Sequence, residues 1–324
     1  MKNDIFALEE LKRIALNNML EYELLLPGET IELIPHHPIT VQGNLCYHYI
    51  ILCLTSGKKY FLKVLKDNDS ATHCNSFLRE FQVENGNCPY PLIVAPPFTY
   101  CERQYYFYTF AEGVTLEDLE GRVSADEWKS IAMKLRERID ALSAIHSSQY
   151  SDHNQFVPDR YSDIVKGKIL PRLSHPIFDK YSRGTKLAAY QQCAEILDSC
   201  NYSQPTLLHM DIKPANVIYN PNTKAVSLID FELSRFGDFD YGWAQILMTK
   251  LKPYGNTYKS YVFPMLTKDR LSLEDALFIP KFQCYLFYQA ACNLIYYGER
   301  KLSCPMEMTT LFIRLLNQLA EGQK

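Results

Sequence analysis

The chain carries no excess charge of either sign. Its 34 Lys and Arg against 37 Asp and Glu leave a formal net charge of −3 over 324 residues, which argues against a general nucleic-acid binder. Glycine is sparse, 13 residues in all, and no glycine-rich run occurs. No stretch is long and apolar enough to span a bilayer. The opening residues, Met-Lys-Asn-Asp-Ile-Phe-Ala-Leu-Glu-Glu, lack the unbroken apolar segment of a signal peptide. Ten cysteines are present, but none forms a Cys-x-x-Cys pair, so a zinc site is not expected. Many of them sit in apolar runs, as buried thiols do, and a reducing compartment is the simplest setting. A soluble cytoplasmic protein without repeats or low-complexity segments is the expectation. The apolar fraction, 47%, is enough for one large core or two lobes.

The pattern of apolar residues divides the chain in two. Residues 4–20 carry a helical stripe with Phe6, Leu11, Ala15 and Met19 as inward positions. Residues 30–110 read mostly as strands and turns, broken by a helix around Ser76-Phe-Leu-Arg-Glu80-Phe-Gln-Val-Glu84, where Phe77 and Phe81 share a face. After Gly113 the chain turns mainly helical. Residues 126–146 are the strongest helix, with Trp128, Ile131, Leu135, Ile139, Leu142 and Ile145 at helical spacing. A further helix is expected over 186–199, and two or three over 272–322. The boundary is placed between residues 1–112 and 113–324.

The run His209-Met-Asp211-Ile-Lys213-Pro-Ala-Asn216, followed by Ile229-Asp230-Phe231-Glu232, holds the densest chemistry. Val217-Ile-Tyr219 and Val226-Ser-Leu-Ile229 read as short strands, and Asn220-Pro-Asn222 between them is turn chemistry, so the pair forms a hairpin. Asn216 enters its first strand and Asp230 leaves its second, so antiparallel pairing brings their side chains together. One oxygen from each can meet on a hard cation. Asp211, in the loop just before, can take a proton from an attacking hydroxyl, and Pro214 stiffens that loop. A polar turn before a hairpin, with Asp211 as a cap, is the alternative.

These residues resemble the catalytic loop and metal-binding motif of the protein-kinase-like superfamily, in its aminoglycoside phosphotransferase and choline kinase branch. The resemblance implies an α+β, bilobal fold: an N-terminal nucleotide-binding lobe with an antiparallel sheet and one main helix, and a larger, mostly helical C-terminal lobe. It implies ATP and Mg2+ as cofactors, Asp211 and Lys213 as catalytic residues, and Asn216 and Asp230 as metal ligands. Gly237-Asp238-Phe-Asp240-Tyr-Gly-Trp-Ala244 resembles the Gly-Asp-x-x-x-Asp-x-Ala stretch of that branch, with a shorter gap between the acids. Asp240 would then brace the catalytic loop, as would His209. In Tyr60-Phe-Leu-Lys63-Val-Leu a lysine interrupts an apolar strand, which requires a partner or a ligand. By resemblance Lys63 grips the ATP phosphates and pairs with Glu80, or with Glu84 one turn on; an edge-strand lysine is the alternative. Gly43 and Asn44 resemble the phosphate-covering turn of small-molecule kinases. The backbone of Thr109 to Ala111 would bond adenine, and His146 would close a helix as a structural residue.

The substrate is less determined. Lys213 stands where serine/threonine protein kinases carry a lysine, and Met210 departs from the glycine common in antibiotic kinases. Against a protein substrate stand the missing triple-glycine loop, Glu232 in place of glycine, and the absence of an Ala-Pro-Glu segment. A small-molecule hydroxyl substrate is therefore expected: an aminoglycoside or other antibiotic, an amino sugar, or a choline-like compound. No nucleic-acid or membrane partner is expected. A protein kinase and an inactive nucleotide-binding scaffold remain the rival classes. From Ser272 onward no dense acidic cluster appears, whereas Tyr285, Phe287, Tyr288, Tyr296 and Tyr297 are available for stacking or plain packing.

Overall fold

The computed structural model describes residues 2–36, 46–65, 94, 98–100, 103–152, 155–157 and 160–322. The chain forms two compact units, Met1–Glu112 and Gly113–Lys324.

In the first unit, helix α1 (Lys2–Glu21) buries Leu11, Ile14, Ala15 and Met19, the stripe expected from the spacing; the side chain of Phe6 lies outside the described residues. Strands β1 (Ile31–Pro35), β2 (Cys46–Cys53), β3 (Lys59–Leu65), β4 (Phe98–Tyr100) and β5 (Arg103–Thr109) form an antiparallel sheet in the order β1-β2-β3-β5-β4. One face of this sheet packs on α1. Ile31, Leu33, Ile51, Tyr60, Leu62, Val64 and Phe107 join Leu11, Ala15 and Met19 in a single core. The residues of β3 alternate, so Lys63 lies on the face opposite Leu62 and Val64.

The second unit is mostly helical. It contains α2 (Ala125–Ser143), α3 (Tyr161–Leu173), α4 (Arg183–Ser199), α5 (Phe239–Met248), α6 (Phe263–Thr267), α7 (Leu273–Ala276), α8 (Pro280–Glu299) and α9 (Met306–Glu321). Helix α2 starts at the N-cap Ser124, whose hydroxyl accepts from the Glu127 amide. It buries Trp128, Ile131, Leu135, Ile139 and Leu142 as the spacing predicts. It stops at Ser143, three residues short of the expected end. Helix α9 packs on α4 and α8, where the Phe312 ring stacks on Phe178 and Phe287 at 4.8 and 5.2 Å.

Short strands hold the loops of this unit: β6 (Val114–Thr115), β7 (Tyr150–Asp152), β8 (Gln155–Val157), β9 (Thr206–Leu208), β10 (Val217–Tyr219), β11 (Val226–Leu228) and β12 (Arg235–Gly237). β6, β10 and β11 form one sheet, and β9 pairs with β12. Gly113 precedes β6 with φ 136°, and a Cβ there would strike the Tyr219 carbonyl, so the approach to β10 requires glycine.

Candidate active site

The hairpin predicted from the sequence is present, with Val217 opposite Leu228 and Tyr219 opposite Val226. Its turn is closed by Asn220, whose Oδ1 accepts from the amides of Asn222 and Thr223. One more ladder bond, from the Ile229 amide to the Asn216 carbonyl at 3.0 Å, draws the two ends together. Asn216 therefore lies beside the residue that precedes Asp230. At Asp230 the backbone turns left-handed, φ 66° and ψ 63°, a conformation that Asp tolerates better than most residues.

The loop from His209 to Asn216 joins β9 to this hairpin, and the ring of His209 ties the two. Its Nδ1 accepts from the Asp211 amide at 3.2 Å, and Nε2 lies 2.8 Å from the Ile229 carbonyl. With Nδ1 accepting, the proton sits on Nε2 and is donated to that carbonyl. The histidine is buried, and burial holds its pKa below the ordinary 6.5 against the opposing pull of Asp211. Met210 adopts φ 64°. Glycine takes that conformation freely, whereas methionine strains by about 1 kcal/mol.

Asp211 is held asymmetrically. Its Oδ2 accepts from Lys213 Nζ at 2.6 Å and from Asn216 Nδ2 at 2.9 Å; the same Nδ2 is 2.9 Å from the Asp211 carbonyl. Oδ1 takes no hydrogen bond among the described residues. Asn216 is buried, and with its nitrogen bound to Asp211 its Oδ1 is presented as an oxygen donor. Pro214 begins the single turn Pro214–Asn216 and its carbonyl accepts from Leu116 at 3.2 Å, fixing the loop against β6.

A carboxamide oxygen beside a carboxylate suits magnesium, which binds through one or two side chains and fills its octahedron with water and phosphate oxygens. No group of three His, Cys, Asp or Glu that could hold a metal occurs among the described residues. The oxygens of Asn216 and Asp230 are of the type such a site uses.

The other predicted positions fall as follows. Lys63 is buried in β3, opposite His48 and Tyr106 in register. β3 is the middle strand of five, so the edge-strand alternative is excluded. Thr109 ends β5, and Ala111 lies in the irregular chain that follows. Gly43, Asn44, Glu80 and Glu84 lie outside the described residues. His146 is exposed and meets Thr206 in a backbone bridge beyond the end of α2.

Asp240 requires a correction. Its carboxylate faces Lys281, at 3.0 Å, and makes no bond to the catalytic loop among the described residues. Two residues on, the helix has rotated by about 200°, and Gly242 is the position that faces Leu208 at the start of the loop, with a Cβ there 2.8 Å from the Leu208 side chain. Aligning the motif on Ala244 puts Gly242, not Asp240, in the place of its second acid. A small cavity lined by Leu208, His209, Met210, Gly242 and Gln245 lies there instead.

Two groups not singled out from the sequence, Lys252 and Tyr254, come within electrostatic reach of Asp211. Their run, Lys252-Pro-Tyr254, has no periodic signal, and only the tertiary fold brings it to the loop.

No curated protein matches this chain. Among solved structures, the aminoglycoside phosphotransferase APH(4)-Ia aligns at TM-score 0.66 and 14% identity, covering 94% of this chain and 97% of its own. A thermostable mutant of that protein, solved with AMP-PNP and hygromycin B, gives 0.64 and 16%, with 91% and 96% covered. A candidate fructosamine-3-kinase from Haemophilus somnus 129PT gives 0.59 and 13%, with 90% and 92% covered. At such identities the likeness establishes a kinase-like fold. Residues 50–253 match the model of the phosphotransferase enzyme family, APH. With that match over more than half its length, the chain belongs to the phosphotransferase enzyme family and is a kinase.

Proposed function

We propose that this enzyme transfers the terminal phosphoryl group of ATP to a hydroxyl of a small molecule, with Asp211 as the proton acceptor. The observation that carries this is the one-sided clamp on Asp211. Lys213 and Asn216 hold Oδ2 and leave Oδ1 to receive the acceptor hydroxyl. Asn216 Oδ1 and Asp230 would hold magnesium, which when bound offsets charge on the phosphate oxygens. Lys63 would hold those oxygens as well, paired with Glu80, and the turn at Gly43 and Asn44 would cover them. The backbone at Thr109 and Ala111 would meet adenine.

The acceptor oxygen bonds to phosphorus, the bond to the ADP oxygen breaks, and the hydroxyl proton passes to Asp211. Most of the rate then comes from positioning and electrostatics. We place the enzyme in the cytoplasm, where thiols such as Cys193 and Cys284, free in the structure, stay reduced.

The test is ADP release with magnesium and either ATP or GTP across aminoglycosides, macrolides, choline, amino sugars, nucleosides and sugar acids. D211N should lower turnover by roughly two to four orders of magnitude with little loss of ATP binding; wild-type-like turnover in that variant would remove Asp211 from this role. Lys213 and Met210 are the features that favour a protein substrate. Labelled phosphate on casein, with silence across the small molecules, would transfer the assignment there.

A further inference from the structure

Between helix α5 and the catalytic loop lies a small cavity in which one polar side chain is left over. Gly242 borders it from the helix, and His209, Met210 and Ile212 border it from the loop. Four of its lining side chains carry a nitrogen or an oxygen, and three of these are committed elsewhere. The Ser143 hydroxyl donates to the Asp140 carbonyl at 2.9 Å. Trp243 Nε1 donates to the Leu271 carbonyl at 3.0 Å. The two ring nitrogens of His209 are taken by the Asp211 amide and the Ile229 carbonyl. The fourth is Gln245, one helical turn beyond Gly242 and so on the same side of α5. It is 5% exposed, and its carboxamide makes no hydrogen bond among the described residues.

The loop brings unmet main-chain groups to the same place. Met210 and Ile212 are both buried, yet neither the amide nor the carbonyl of either residue makes a hydrogen bond among the described residues. Their neighbours are satisfied. The Asp211 amide bonds His209 Nδ1, the Asp211 carbonyl accepts from Asn216 Nδ2, and the Lys213 carbonyl accepts from the Asn216 amide at 2.9 Å. Buried main-chain groups that no protein partner reaches are paired by water. The cavity, about 30 Å3, has room for at least one water molecule, and such a molecule needs about two to four polar partners. Gly242 leaves that space open: a Cβ there would lie 2.8 Å from the Leu208 side chain. The Gln245 carboxamide offers both a donor and an acceptor to whatever occupies it.

We propose that water in this cavity bridges the Gln245 carboxamide to the main chain of Met210 and Ile212, which makes Gln245 a positioning residue for Asp211 that acts through the loop and touches no substrate. The bridge supplies from α5 the support that Asp240, turned to Lys281, does not give. The bridge itself is independent of the reaction; its effect on turnover rests on the phosphotransferase assignment.

The experiment compares the full-length wild type with Q245M, which keeps the length of the side chain and removes its hydrogen-bonding groups. Amide hydrogen exchange followed by mass spectrometry should run about tenfold faster over residues 209–216 in Q245M, with far smaller changes in α2 and α8. With the acceptor identified by the compound panel, kcat per folded molecule should fall about tenfold or more while KM for ATP stays within about twofold. A crystal structure of the wild type should show water bonded to the Gln245 carboxamide and to the main chain of Met210 or Ile212, and this arm does not depend on how well the variant folds. A wild-type cavity without water would overturn the proposal, as would loop exchange unchanged in Q245M. So would a rise of equal size in α2 and α8, since Gln245 would then merely fill the core. Faster loop exchange with unchanged kcat would remove Gln245 from the positioning role. Faster exchange confined to the loop, in a protein that phosphorylates no compound of the panel, would uphold the bridge and count against the phosphotransferase assignment to small molecules.

Discussion

At Asp230 a left-handed backbone at φ 66° coincides with the proposed role of oxygen donor to a cation. Asparagine suits the first and weakens the second; alanine suits neither. D230N should therefore keep wild-type stability while losing magnesium-dependent turnover, and D230A should lose in addition about 1 kcal/mol in urea unfolding. Equal stability of the two variants would show that the backbone, not the side chain, fixes this turn. His209 sets a pH limit. Its pKa is depressed in the folded protein, so below about 6.5 the unfolded chain takes up a proton that the folded chain refuses. The stability this contributes is complete above pH 6.5 and declines as pH falls through the depressed folded value. H209Q should flatten that slope in urea midpoints measured between pH 7.5 and pH 5; a slope unchanged by H209Q would place the sensitivity elsewhere. Residues such as Asp211, Asn216 and Asp230 were legible because a hairpin converts their spacing in sequence directly into proximity. Lys252 was not, because its approach to Asp211 depends on how helix α5 and the following turns pack, which no local pattern encodes.

At the scale of elements, the N-terminus of α5 is fastened to α8 through a buried ion pair. Lys281 Nζ lies 2.7 Å from Asp238 Oδ2 and 3.0 Å from Asp240 Oδ2, and Tyr285 donates to Asp238 Oδ2 at 2.9 Å. Burial opposes the Lys281 charge, and its two carboxylate partners outweigh it and raise the pKa. Its ammonium also sits 4.9 Å from the Tyr202 ring centroid. K281M would leave the Asp238 carboxylate, 2% exposed, without its counter-charge. The expected loss is about 3 kcal/mol in chemical denaturation, with Asp211-dependent turnover preserved per folded molecule; a loss below about 1 kcal/mol would mean that water or Tyr285 suffices. This anchor also explains why Asp240 was misassigned. The Gly-Asp-x-x-x-Asp-x-Ala pattern reports a helix entry, but the rotation of 100° per residue decides which side chain faces the loop. The acid at 240 points to α8, and a glycine occupies the position that faces Leu208.

For the molecule as a whole, periodicity carried most of the architecture. The stripe of Leu11, Ala15 and Met19 and the helical spacing from Trp128 to Leu142 each forecast the buried face that the structure has. Irregular stretches were harder. Residues 150–204 hold the β7–β8 hairpin and α3, both too short or too weakly amphipathic to stand out. The proposed nucleotide site has a whole-molecule signature. Ligand bound to the folded state alone stabilises it by mass action, about 2.7 kcal/mol at a hundredfold excess over Kd. Magnesium and ATP together should raise the thermal midpoint by a few degrees, and D230N should abolish the magnesium-dependent part; an equal rise without magnesium would count against Asn216 and Asp230 as its ligands.

The ring of His209 has a consequence for how this enzyme fails. One imidazole accepts from the amide of Asp211, the proposed proton acceptor, and donates its own hydrogen to the carbonyl of the residue before Asp230. The proposed acid-base group and the proposed cation holder are therefore geared together. Damage to that gear should silence both at once, so partial activity, with one intact and the other adrift, is a state this architecture does not offer.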